Sequence, residues 1–173
     1  MRFWRNLFTP AAKPPPRLAA EPVPAADPPV APRGKKVLLV DDDPVILKTT
    51  SLKLKSQGYE VVTAMDGAEA ISAVRKRKPD LILLDITFPP DVAHGGAVGW
   101  DGFLIMSWLH RLEEARTVPV IIVTGGEATK YKDRAMAGGA IAFFNKPIDH
   151  VGLLSVIERV VSRELVQEGE FQI

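Results

Sequence analysis

Hydrophobic residues in this chain cluster in short, largely continuous runs rather than alternating with polar ones. Val37-Leu38-Leu39-Val40 is the first, and others fall at 60–64, 81–84, 120–123 and 141–144. A short apolar run fits a strand covered on both faces, as in a parallel sheet. The intervals between runs have helical length. Asp43-Pro44 offers an N-cap followed by proline at the first helical position, which predicts a helix stopping near Gly58. A second helix is predicted over 68–78, closed by Pro79. The stretch 102–114 predicts a helix that is apolar almost all round, since Phe103, Leu104, Ile105, Met106, Trp108, Leu109 and Leu112 leave little for water. An ordinary surface helix shows one apolar stripe. The stretch 150–164 is such a helix: Leu153, Val156, Ile157, Val160 and Val161 lie on one side, Ser155, Glu158, Arg159 and Ser162 on the other. Five strands alternating with five helices predict an α/β fold with a parallel sheet and right-handed crossovers.

Residues 1–33 break this pattern. Nine of the 15 prolines lie there, and none of the 13 glycines precedes Gly34. Each proline fixes φ and removes a backbone donor, so the stretch is expected to be a disordered, extended Pro/Ala-rich arm rather than part of a core. Its first eight residues mix Arg2 and Arg5 with Trp4 and Phe8; they read as a frayed terminus, or else as a short docking or membrane-surface peptide. The arm holds five basic and two acidic residues, a net +3, so the total of +1 leaves −2 for the rest. The expected organisation is an arm over 1–33, a folded domain over 34–165 and a C-terminal tail over 166–173.

Composition then narrows the function. The absence of cysteine excludes disulfide frameworks, thiolate metal sites and cysteine nucleophiles. A near-zero net charge and the lack of a basic recognition helix argue against direct nucleic-acid binding. No apolar run approaches the ~20 residues of a membrane span, and no signal-peptide apolar region is present, so a cytoplasmic location is expected.

The chemistry gathers at strand ends, where open parallel sheets collect their ligands. Asp41-Asp42-Asp43 follow the first run, Asp85 the third, Thr124 the fourth, and Lys146 ends the fifth region. Clustered carboxylates repel unless a cation joins them. Mg²⁺ suits best, because it takes one or two carboxylates and uses phosphate oxygens as further ligands. A lysine and a hydroxyl can then contact an arriving phosphoryl group, and a carboxylate can accept it as an aspartyl-phosphate. Asp43 reads as the helix cap. His94, His110 and His150 lack ligand spacing and read as surface or loop residues.

These residues stand in Val37-Leu-Leu-Val-Asp-Asp-Asp-Pro44, Pro79-Asp-Leu-Ile-Leu-Leu-Asp85, Val120-Ile-Ile-Val-Thr124 and Phe143-Phe-Asn-Lys-Pro147. Over roughly residues 35–163 the chain resembles the receiver domain of two-component response regulators. The resemblance implies a flavodoxin-like (βα)5 doubly wound sheet of strand order 2-1-3-4-5, with Asp85 as phosphoacceptor. It implies Asp41, Asp42, Asp85 and the backbone carbonyl of Thr87 as the shell of Mg²⁺ (or Mn²⁺). Thr124 and Phe143 would be the switch pair and Lys146 the phosphate-contacting lysine, with a cis bond between Lys146 and Pro147. The implied partners are a histidine kinase or phosphotransfer protein, and a protein target met by the fourth helix, fifth strand and fifth helix. In this reading the chain is a stand-alone receiver, not an enzyme beyond self-phosphorylation from a donor and autodephosphorylation.

One departure stands out. Between Asp85 and Asp101-Gly102 the loop is nine residues longer than the family pattern. This insertion, at about 88–100, offers His94, Gly95, Gly96 and Trp100 as candidate lid residues; a tolerated surface insertion is the alternative. The all-round apolar helix after it could be covered by Val98 and Trp100, by the arm, or by a second chain in a homodimer. Two rival functions are open to the same residues. A haloacid-dehalogenase phosphatase also uses an aspartyl nucleophile, but it needs a second Asp where Thr87 stands. A non-phosphorylated pseudo-receiver acting as an interaction module keeps the fold without using the site.

Overall fold

All five apolar runs become strands: β1 (Lys36–Val40), β2 (Glu60–Ala64), β3 (Leu81–Leu84), β4 (Val120–Thr124) and β5 (Ala142–Asn145). The computed structural model describes residues 34–87, 102–126 and 128–169. The strands form one parallel sheet in the order β2-β1-β3-β4-β5, which is the flavodoxin-like arrangement expected. The helices between them are α1 (Pro44–Ser56), α2 (Gly67–Arg77), α3 (Gly102–Leu109), α4 (Ala128–Ala137) and α5 (His150–Gly169).

The unbroken runs are explained by a sheet covered on both faces. Alternate residues of one run serve two cores. Leu38, Val40, Ile82, Leu84 and Ile122 pack with residues of α2, α3 and α4, including Val74, Ile105, Leu109 and Ala135. Val37, Leu39, Leu81, Leu83, Ile121 and Val123 pack with Leu47 and Leu54 of α1 and Leu153, Ile157 and Val161 of α5. Each such side chain taken fully out of water is worth about 1.5–3 kcal/mol, so polar residues in the central strands are confined to their ends, as Lys36 and Thr124 are. The register fixes where that happens. Val40 of β1 stands beside Leu84 of β3, and the next residue of each strand is therefore an aspartate at the same edge.

Local signals set the helix starts. Asp43 caps α1, its Oδ1 accepting the Val45 N–H at 2.7 Å, as the Asp43-Pro44 pair predicts. Asp66 caps α2 by accepting the Glu69 N–H, and Glu69 reaches back to accept the Met65 N–H, a reciprocal arrangement akin to a capping box. The third helix differs from expectation. It stops at Leu109 rather than 114, and 110–117 continue as turns, with Arg111 N–H bonded to Trp108 O and Ala115 N–H to Leu112 O. Glu113 and Glu114 would oppose the dipole at a helix C-terminus, and turning the chain there buries Ala115 completely ahead of β4. Most of its apolar side chains are buried or half-buried, but Trp108 is exposed. At the other end α5 continues to Gly169, past the boundary expected at 165. The expected strand 141–144 starts one residue later, leaving Ile141 exposed.

The arm with Trp4 and Phe8, and the insertion with His94, Gly95, Gly96 and Trp100, lie outside the described residues. Among those described, no helix is long and apolar enough to cross a membrane.

Tyr59, just after α1, is buried in the α1/α5 core. Burial, and then the charge of Glu158, push its phenol from 10.0 up to about 12. Above pH 10 the unfolded chain releases a phenolic proton that the fold retains, so stability falls as pH rises toward 12. Denaturant unfolding at about pH 9 and about pH 11 should therefore show a larger loss for the wild type than for Tyr59→Phe. Equal losses would contradict the burial argument.

Candidate functional site

Four strand ends converge at one edge of the sheet. Asp41 leaves β1 with its N–H bonded to Ala64 O, and Asp85 leaves β3 with its N–H bonded to Val40 O. Both carboxylates are almost wholly buried, at 1% and 2% exposure, while Asp42 is half-buried. Lys146, beyond β5, is drawn in by its own N–H bond to Thr124 O. Its Nζ lies 2.7 Å from Asp41 Oδ2 and 2.6 Å from Asp85 Oδ2. The Lys146–Pro147 bond is cis, as the resemblance implied.

The other oxygen of Asp85 is held by neutral donors. Asp85 Oδ1 accepts both the N–H and the Oγ1–H of Thr87, each at 2.8 Å. Thr124, fully buried, donates its hydroxyl to Thr87 Oγ1 at 3.3 Å and accepts the Gly126 N–H at 3.2 Å. A chain of hydrogen bonds thus runs from the turn after β4 to the carboxylate at the end of β3. Two negative groups this close, taken out of water, require a positive one. Burial raises the Asp41 pKa above the ordinary carboxylate value, although the Lys146 bond and the Asp43 N–H both work against the rise. Burial alone would lower the Lys146 pKa, but the bonds to Asp41 and Asp85 outweigh it and the net direction is upward.

Asp41, Asp42 and Asp85 offer one ligand oxygen each within 4.8 Å of one another, the only such group of acids, histidines and cysteines among the described residues. Asp43 points away as the helix cap. Phe143 is not in the pocket: it sits on β5 beside Ile122, half-buried against the α2–α3–α4 core. His110 and His150 are half-buried. His110 lies against Gly139, after α4, and His150 opens α5.

Several participants leave no trace in the pattern of the sequence. The Thr87 hydroxyl binds Asp85 directly, whereas only its carbonyl was anticipated. Gly102 N–H donates to Ile86 O at 3.3 Å, so α3 starts against the residue that follows the aspartate. A Cβ on Gly102 would stand 2.3 Å from Ile86 Cα and 2.4 Å from Asp85 O. Gly126 supplies a donor to Thr124. A hydroxyl two residues after a strand-end acid is a weak hint of the first; the glycine contacts are visible only through space.

Fold and pocket together define a doubly wound α/β domain with an acidic, lysine-bridged site at the carboxyl edge of its sheet, beside the β1/β3 switch point of the strand order. The chain belongs to the response regulator receiver domain family, whose model matches residues 37–158. It is 31% identical over 127 residues to protein PilH of Pseudomonas aeruginosa, covering 73% of this chain and 98% of that protein. It is 32% identical over 131 residues to response regulator PleD of Caulobacter vibrioides, a match covering 76% of this chain and 27% of PleD; the chain thus spans about a quarter of that relative. Among solved structures, the receiver domain of a Pseudomonas aeruginosa sensor histidine kinase is similar with a TM-score of 0.64 and 26% identity, over 75% of this chain and 98% of that one. That structure holds a magnesium ion coordinated in its active site cleft.

The close approach of Gly102 to the backbone of Asp85 and Ile86 gives a direct test. Gly102→Ala should destabilise the fold by about 2–3 kcal/mol, because backbone must move to admit the methyl. Urea unfolding measures it, and a loss below about 0.5 kcal/mol would show that α3 does not start as closely as described.

Proposed function

We propose that this chain is a phosphoacceptor switch of a two-component phosphorelay, with Asp85 taking the phosphoryl group from a histidine kinase or phosphotransfer protein. The observation that carries the reading is the division of donors at Asp85. Lys146 holds one oxygen by charge, and Thr87 holds the other by neutral hydrogen bonds. A carboxylate oriented in this way is a nucleophile for phosphorus. Its oxygen forms the new P–O bond as the bond between phosphorus and the donor's imidazole nitrogen breaks, the electron pair leaving with the nitrogen.

The residues present fit a hard divalent cation. The donors are carboxylate oxygens, they are grouped, and the buried pair already draws a cation in the form of Lys146. Asp41, Asp42, Asp85 and the Thr87 carbonyl would hold Mg²⁺ (or Mn²⁺), which when bound neutralises charge on the phosphoryl oxygens. Lys146 is placed to exchange its Asp41 contact for a phosphoryl oxygen. The Thr124 hydroxyl, two hydrogen bonds from Asp85 by way of Thr87, would leave Thr87 for another. Phosphorylation replaces the single charge of the carboxylate with a phosphoryl group of about −1.5 to −2, in a pocket whose positive groups are few, so these contacts shift together.

The output of the switch is a protein contact through α4, β5 and α5, with Phe143 moving with Thr124. This face carries exposed Lys130, Lys132, Met136, Ile141 and Val151. On this reading residues 34–165 are the receiver unit, 1–33 are an appended arm, and the protein works in the cytoplasm.

Beryllofluoride, which mimics the phosphoryl group, tests the proposal. With Mg²⁺ it should raise Tm by on the order of 10 °C when well above its Kd. Asp85→Asn should show no rise and should take no label from a phosphodonor. A wild-type chain indifferent to beryllofluoride, or an Asp85→Asn chain that still labels, would overturn the assignment.

A further inference from the structure

The turn after β4 is wedged between two side chains. A Cβ on Gly126 would lie 2.6 Å from Tyr131 Cε2 and 2.9 Å from Cδ2 on one side, and 3.2 Å from Thr87 Cγ2 on the other. The ring of Tyr131 therefore rests on bare backbone, in space that any other residue would fill. Tyr131 belongs to α4 and packs, half-buried, on the α2–α3–α4 core. Its ring also meets Phe103 at the start of α3, with centroids 6.0 Å apart. On the polar side the same glycine donates its N–H to the hydroxyl of Thr124, which in turn bonds Thr87.

We propose that Tyr131 is a positioning residue that carries the state of the phosphorylation site into α4, by reading the place of Gly126. The proposal rests on the phosphoacceptor reading given above. If the Thr124 hydroxyl turns to a phosphoryl oxygen, it leaves Thr87 and reorients with respect to the Gly126 N–H. The turn then loses what holds it on its polar side. On its other side there is no Cβ to cushion a movement, and close-packed groups pass displacement on rather than absorb it. The ring is the first thing the turn meets, and it is part of α4. This route is separate from Phe143, which lies on β5, and it uses the ring of Tyr131 rather than its hydroxyl.

The test is amide hydrogen exchange of residues 128–137 in the full chain, with and without Mg²⁺ and beryllofluoride. The wild type and Tyr131→Phe should both change exchange in α4 when the analogue binds. Tyr131→Ala should still bind the analogue, read as a rise in Tm, but lose the change in α4 while β1 and β3 stay protected. A merely structural role would lower Tm and leave the analogue-dependent difference in place. Gly126→Ala provides an independent arm should Tyr131→Ala fold poorly. Its methyl displaces the ring, so α4 exchange should shift without any analogue, and the shift should vanish in the Gly126→Ala/Tyr131→Ala double variant. An α4 response in Tyr131→Ala equal to the wild type, or unaltered α4 exchange in Gly126→Ala, would overturn the role of Tyr131 alone. A wild type that binds no analogue would overturn the phosphoacceptor reading, and this one with it.

Discussion

Two aspartates are forced side by side at the edge of the sheet, and one lysine makes that tolerable. The register of β1 on β3 leaves no freedom: once Val40 pairs with Leu84, Asp41 and Asp85 emerge together and buried. A carboxylate taken out of water without a partner costs several kcal/mol. The partner comes from beyond β5, two strands from Asp85 and three from Asp41, and the long lysine side chain reaches both. Lys146 therefore ties the order of three strands to the charge state of one pocket. The ion pair is weak evidence for stability, since desolvation offsets most of what it contributes. Its consequence is specificity: a resting pocket whose positive group can be exchanged for another cation or shared with an anion.

The hydroxyl chain complements the lysine. Gly126, Thr124 and Thr87 pass a line of donors to Asp85 Oδ1, while Oδ2 faces Lys146. On the proposed function, the charged contact attracts the phosphoryl group and the neutral contacts record its arrival, because the acceptor at the end of the chain changes. Local low dielectric strengthens both and penalises any donor left unpaired. Attraction and readout are thus assigned to opposite oxygens of one carboxylate.

Much of this was legible in the sequence for a physical reason. Strands covered on both faces are largely apolar runs, so the strands lay within about a residue of their expected places, and polar residues just past four of the runs pointed to one edge of the sheet. Asp41, Asp42, Asp85, Thr124 and Lys146 all stand within two residues of a run's end. Strand order was not accessible to periodicity, which says nothing of neighbours; it followed from the family resemblance. The end of α3 was misplaced because the apolar pattern continues to Leu112 after the helix has turned away. The Thr87 hydroxyl, Gly102 and the Gly126–Tyr131 contact escaped because each depends on what lies opposite in space.

The anchoring of α3 explains how a site of this kind withstands a long excursion in the chain beside it. Ile86 O accepts the N–H of Gly102, so the chain returns to within one hydrogen bond of the point where it left. With its ends fixed, the closure entropy of the chain between them changes by only about 0.6 kcal/mol per doubling of length. A longer connection then costs the fold little in closure entropy, provided the junction holds. The junction holds because Gly102 has no Cβ and can lie on the backbone of Asp85 and Ile86. The geometry around Asp85 thus depends on the glycine at which the chain rejoins it.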